Sequence, residues 1–185
     1  DSYGKTYATS NSRAYRCYNP STLSVTGIKT TYTAFEKVST TGVHLTAKYS
    51  DYDGTRTETI SSGITIGYTG GNTSLRATDT YVTISAYNNI GYHITGRVNI
   101  TVNKATPSYV VPTGLSGVEG QKLSEIALPT GFSWQTPNTI LSGVGNKTYK
   151  VNYTPTDTVN YNTVTGIDVT ITVVAGKTII TPTIT

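Results

Sequence analysis

The segment Val98-Asn99-Ile100-Thr101-Val102 returns as Val169-Thr170-Ile171-Thr172-Val173. Each copy alternates apolar residues with hydroxyl or amide side chains, the pattern of a strand with one dry and one wet face. Loop-forming residues follow each copy. A closing strand used twice implies two self-contained layered units in series, because each such ribbon needs its own facing layer. Chains built of beads are characteristically extended surface proteins.

The repeat divides the sequence into a leading segment 1–20, a first bead 21–103, a second bead 104–174 and a trailing 175–185. Each bead has about 70–85 residues, enough for one two-layer core. Only 13% of residues are charged, and Thr, Ser, Gly and Asn fill the polar positions. Thr is β-branched and suits a pleated, half-buried surface. With 18 Gly and 7 Pro as punctuation, the chain reads as all-β with many turns.

In the first bead Leu23–Ile28 opens the series, and Val43, Leu45, Ala47 and Tyr49 share one face of a strictly alternating strand. Asp53-Gly54 is a strong hairpin dipeptide. Further strands are expected at Thr55–Ile60, Ile64–Tyr68, Tyr81–Tyr87 and Tyr92–Val102, with turns at Gly70–Asn72 and Asn88–Gly91. About seven short strands in about 80 residues is a β-sandwich signature. Lys104–Pro107 reads as a short, stiff linker. The second bead has strands at Leu115, Leu123–Leu128, Phe132–Trp134, Thr148–Tyr153 and Ile167–Val173. Ala175-Gly176-Lys177 leads toward a third bead, and neither end resembles a natural terminus, so the chain reads as part of a longer protein.

The net charge is +4, but the lysines and arginines are scattered, with no basic stripe to track a nucleic acid. One cysteine, Cys17, excludes a disulfide framework and a multi-cysteine metal site. Scarce cysteine without methionine fits an exported protein of an anaerobe or a Gram-positive cell. No apolar stretch approaches the length of a membrane span.

The residues that could carry chemistry have simpler readings. His44 and His93 sit on or beside polar strand phases, and no spacing brings a nucleophile and an acid to either. Asp51, Asp53 and Glu58, and separately Asp157, Asn160 and Asn162, offer too few oxygens for calcium and read as turns. A Lys–Asn isopeptide bond needs a dry core, whereas Lys48, Asn99 and Asn103 fall on polar phases and Lys29 at a strand end. No catalytic residue, metal site or cofactor is expected. Trp134 reads as a core anchor on the same face as Phe132.

The 15 tyrosines against 2 phenylalanines are more informative. Tyr52, Tyr68, Tyr87, Tyr92 and Tyr161 lie next to turns or in polar company. Tyrosine offers broad contact area at low entropy cost, although it also resides normally on half-wet β faces. The densest group is Tyr3, Tyr7, Arg13, Tyr15, Arg16 and Tyr18, whose Tyr-plus-Arg composition is that of an interface hot spot. These six are the candidate ligand-binding residues, on a segment that could form a short helix or a stray strand.

The stretch Val25–Tyr32 followed by Leu45-Thr46-Ala47-Lys48-Tyr49-Ser50-Asp51 resembles bacterial Ig-like domains of the group 3/4 type in Gram-positive surface proteins, with Tyr52-Asp53 departing from the plain Y-S-D-G turn. The phrases Leu128-Pro129-Thr130-Gly131-Phe132-Ser133-Trp134 and Tyr153–Tyr161 resemble the tandem-repeat Ig-like domain of clostridial (Lachnospiraceae-type) cell-surface proteins. The resemblance implies two tandem Ig-like β-sandwich domains in a non-enzymatic, extracellular segment of the bacterial cell wall. It would act as stalk or spacer and as an adhesin. The expected partner is a host protein such as an immunoglobulin, or a glycan such as mucin, with no nucleic acid and no membrane insertion, the chain itself being a monomer. An accessory domain of a carbohydrate-active enzyme is the alternative.

Overall fold

The structure, a computed structural model, describes residues 20–51 and 54–176. Their regular structure is all β apart from short 3-10 turns. Contacts divide the chain after Lys104 into two compact units.

The first unit contains β1 (Thr22–Thr26), β2 (Thr31–Thr33), β3 (His44–Asp51), β4 (Gly54–Ile60), β5 (Thr65–Gly67), β6 (Tyr81–Tyr87), β7 (His93–Asn99) and β8 (Thr101–Asn103). Three antiparallel strands form a sheet in the order β1-β3-β4, three more form β5-β6-β7, and β2 pairs with β8 in parallel. The strict alternation of β3 is realised: Val43, Leu45, Ala47 and Tyr49 are buried, while His44 and Lys48 are exposed. Asp51 pairs with Gly54, which leaves a two-residue connection where a tight hairpin was expected. The layers meet at Gly96 of β7, where a Cβ would stand 2.8 Å from the Leu23 side chain of β1. Burial of Val82, Ile84, Ala86 and Ile94 supplies the facing half of the core.

The strand expected over Tyr92–Val102 is divided. At Ile100 the backbone N–H bonds to Thr80 O at 2.9 Å, and one residue later Thr101 N bonds to Thr30 O at 2.8 Å. The ribbon thus changes partner, from β6 to β2. Ile100 and Val102 stay buried across the switch. The short β2, which places Tyr32 opposite Val102, is not signalled by the sequence because three residues show too little periodicity.

The second unit contains β9 (Leu115–Val118), β10 (Phe132–Trp134), β11 (Gly145–Tyr153) and β12 (Val164–Val174), in one sheet ordered β10-β11-β12-β9. β12 runs antiparallel to β11 and, over Ile171–Val174, parallel to β9. The ribbon therefore ends in both units in the same way, paired in parallel with an early strand of its own unit. Val169, Ile171 and Val173 are buried with Val151, Leu123, Ile126, Leu141 and Trp134 in a core drawn from this unit alone.

The strand expected over Leu123–Leu128 is instead a 3-10 turn, Leu123–Glu125. Its apolar residues Leu123 and Ile126 are three apart, the spacing that eclipses side chains in a 3-10 turn and not one that alternates across a strand. Both face the sheet. A Cβ on Gly117 would lie 2.4 Å from the Leu141 side chain and 2.7 Å from that of Ile126. Trp134 is buried as expected, and its indole Nε1 donates to Ile126 O at 3.0 Å, tying the covering turn to the sheet. Turn segments, with no second sheet among the described residues, form the covering layer of this unit.

The phrase Pro155–Tyr161 closes the unit's beginning. The Asp157 carboxylate accepts from Val159 N, Asn160 N and Asn160 Nδ2 at 3.1, 3.0 and 2.9 Å. This Asx-type turn presents Asn160 O to Ala105 N and Ala105 O to Asn162 N, at 2.8 and 2.9 Å.

Candidate binding surface

Six residues proposed from composition, Tyr3, Tyr7, Arg13, Tyr15, Arg16 and Tyr18, lie outside the described residues, as do Cys17, Tyr52 and Asp53. The other tyrosines separate by role. Tyr49 is fully buried, and the Tyr68 hydroxyl accepts from Val38 N at 2.9 Å. Tyr161 is half-buried, and its backbone forms the bridge to Ala105. Tyr87 and Tyr92 remain on the surface, 66% and 43% exposed.

These two flank the β6–β7 turn, which is built on Asn88. Its N–H bonds to Tyr92 O at 2.8 Å, and its Oδ1 accepts from Ile90 N and Tyr92 N at 3.2 and 2.8 Å. The Asn88 Nδ2 donates to the Tyr49 hydroxyl at 3.1 Å, so this amide, only 5% exposed, joins the turn to the opposite sheet. Next to it Asn89 N donates to Glu58 Oε1 at 2.6 Å, and Glu58 Oε2 stands 3.4 Å from Arg56. The Arg56 guanidinium lies 3.9 Å over the Tyr49 ring. The bonds from Asn88 to Tyr49 and from Asn89 to Glu58 together tie the turn to the opposite sheet. Outside the clamp, Tyr87 pairs across the strands with His93, their rings 5.2 Å apart. The result is a rigidly mounted aromatic tip with hydroxyl and imidazole groups at its edge, able to pack against a peptide or a sugar ring.

No comparable convergence occurs around the groups considered for catalysis. His44 is on β3 and His93 on β7, in different sheets. The His44 Nδ1 meets the Ser61 hydroxyl at 2.8 Å, on an exposed edge; among the described residues no carboxylate hydrogen-bonds its ring. Glu58 accepts from Asn89 N and pairs with its own Arg56, away from both histidines, and Asp157 binds its own turn. Among the described residues no three His, Cys, Asp or Glu side chains gather as a metal would require. Lys48, Asn99 and Asn103 are exposed, and Lys29 pairs with Glu36 at 3.3 Å. A backbone N–H from Thr33, at 2.5 Å, holds the Glu36 carboxyl below its ordinary value, with Lys29 assisting and burial opposing.

The second unit offers a groove of about 240 Å³ beside β12, lined among others by Val111, Pro112, Asn146, Asp168 and Thr170. Its one ionisable side chain, Asp168, already binds Lys150 at 2.8 Å.

Asn88 was legible only as a hairpin residue, and nothing in its spacing signalled the bond to Tyr49, which lies 39 residues earlier. Among the described residues no helix is long and apolar enough to cross a membrane. No protein-family model matches the chain, and no curated protein matches it.

Proposed function

We propose that this chain is a non-catalytic, Ig-like segment of a bacterial cell-surface protein that acts as a spacer and binds a host ligand. The observation that carries the reading is the shared closure of the two units. In each, a copy of one alternating ribbon ends in parallel pairing with an early strand of that unit. This is how one module used repeatedly would be terminated. The facing sheets of the first unit favour a β-sandwich there. In the second unit the sandwich is reduced to one sheet under a layer of turns.

The binding role rests on the aromatic tip of Tyr87, Tyr92 and His93. The Tyr3–Tyr18 tract, with Arg13 and Arg16, is the second candidate from composition. Extracellular placement on a Gram-positive cell follows from the resemblance and from the scarcity of cysteine. Capture of mucin glycans or immunoglobulin on the immobilised chain tests the role. Tyr87→Ala with Tyr92→Ala should lower capture about tenfold or more if the tip is the hot spot. The pair Tyr15→Ala and Arg16→Ala should do so if the leading tract is. Retention of full capture by both variants, or no capture by the parent chain, removes the binding role.

A further inference from the structure

The sheet β1-β3-β4 ends at β4, and the open edge of that strand has a definite polarity. Lys48 O accepts from Ser21 N at 2.7 Å, on the β1 side. Lys48 lies opposite Thr57, so this is a non-hydrogen-bonded pair of the β3–β4 ladder, and the N–H and C=O of Thr57 point away from β3. Alternation gives Thr55 and Thr59 the same orientation. Among the described residues no backbone bond outside the ladder reaches these three, and all three are exposed. Arg56 and Glu58 take the opposite side-chain phase, on the face of Tyr49, where Arg56 lies over the Tyr49 ring and 3.4 Å from Glu58, and Glu58 also accepts from Asn89 N.

Thr55-Arg56-Thr57-Glu58-Thr59 is antisymmetric in charge about Thr57. We infer that the β4 edge is a homotypic docking surface, and that its occupant is β4 of a second copy of this chain, antiparallel and centred on Thr57. In that register Thr57 faces its own counterpart and Thr55 faces Thr59. All are hydrogen-bonded pairs, so six backbone bonds form around the two-fold axis. Arg56 falls opposite the second copy's Glu58 twice, as non-hydrogen-bonded pairs, where cross-strand side chains approach most closely, so each guanidinium gains a second carboxylate beside that of its own Glu58.

The same charges select this register. Sliding by two residues in one direction sets Arg56 against Arg56, and in the other Glu58 against Glu58, each unfavourable. Inward-pointing charges on an edge strand ordinarily block pairing. Here they block every near register except the self-complementary one. A single seven-residue strand covers less than a standard interface, so the dimer should be weak, with a Kd of about 0.1–1 mM. It would matter for copies crowded on one surface, where effective concentration is high. This inference stands apart from the binding role proposed above and departs from the monomer expected from sequence.

Sedimentation velocity on the 185-residue chain, in low salt and at up to about 1 mM, should show reversible dimerisation. Thr57→Pro removes an N–H that the β3–β4 ladder does not use, so the fold should persist and the dimer should vanish. Arg56→Glu and Glu58→Arg should each weaken association about tenfold. The double exchange, Arg56→Glu with Glu58→Arg, restores opposite charges across the axis and should restore the dimer. Circular dichroism confirms the fold of each variant; if the Arg56 exchange unfolds the chain, Thr57→Pro decides alone. A chain that stays monomeric throughout, or a dimer indifferent to Thr57→Pro, overturns the inference.

Discussion

Gly27 shows how little room a single position can leave. Its φ is +76°, and a Cβ there would lie 1.8 Å from the carbonyl oxygen of Gly42. The obstruction is backbone, which cannot rotate away as a side chain can. Gly27→Ala should therefore cost about 3 kcal/mol or more, combining left-handed strain with the clash, read as a lowered urea midpoint at unchanged slope. Glu36 makes a different kind of contribution. Its folded pKa lies below the ordinary 4.5, so the stabilisation is present above that value and is lost as pH falls through the folded value. The carboxylate is substantially exposed and its ion pair screened by salt. Urea melts from neutral to acid pH should show wild type more stable than Glu36→Gln at pH 7, the gap closing below about pH 4.5.

At the scale of elements, the β6–β7 turn depends on one amide. Asn88→Ala would leave the Tyr49 hydroxyl without this partner at a buried site and remove the part-buried bonds to Ile90 N and Tyr92 N. Losing these bonds should cost about 2–3 kcal/mol and speed hydrogen exchange at Tyr92 first. Exchange unchanged at Tyr92 would mean that the turn holds without its clamp. Some elements were plain from pattern. The dyad period of Val43–Tyr49 fixed a strand and its buried face, because a one-residue slip would expose the whole set. The 3-10 turn at Leu123–Glu125 reads as a strand in sequence because two leucines and an isoleucine in six residues fit either element. What decided it was the sheet beneath, which receives Ile126 with Leu141 over Gly117 and buries Leu123 in the same core.

For the whole molecule, the division after Lys104 predicts that residues 20–104 and 105–176 each unfold cooperatively when made alone. The second is the severer test, since it buries one face of one sheet and is small for an unaided core. Its nine buried apolar residues come from its own span, so a cooperative thermal transition is expected. A non-cooperative, featureless melt of 105–176 would show that its core is incomplete without the first unit.

The all-β character, the burial phase of β3, the core position of Trp134 and the recurrence of the closing ribbon were written in local residue order, because side-chain alternation and turn chemistry act over a few residues. The aromatic tip was half legible: Tyr87 and Tyr92 stood out beside a turn, but so did Tyr68, whose hydroxyl accepts from Val38 N. Only tertiary structure separated them. Whether a hydroxyl meets solvent or a backbone amide 30 residues away depends on which strands become neighbours. The change of partner at Ile100, the bond from Asn88 to Tyr49 and the open edge of β4 have the same origin, since each is a property of pairing between distant segments and leaves no period in the sequence.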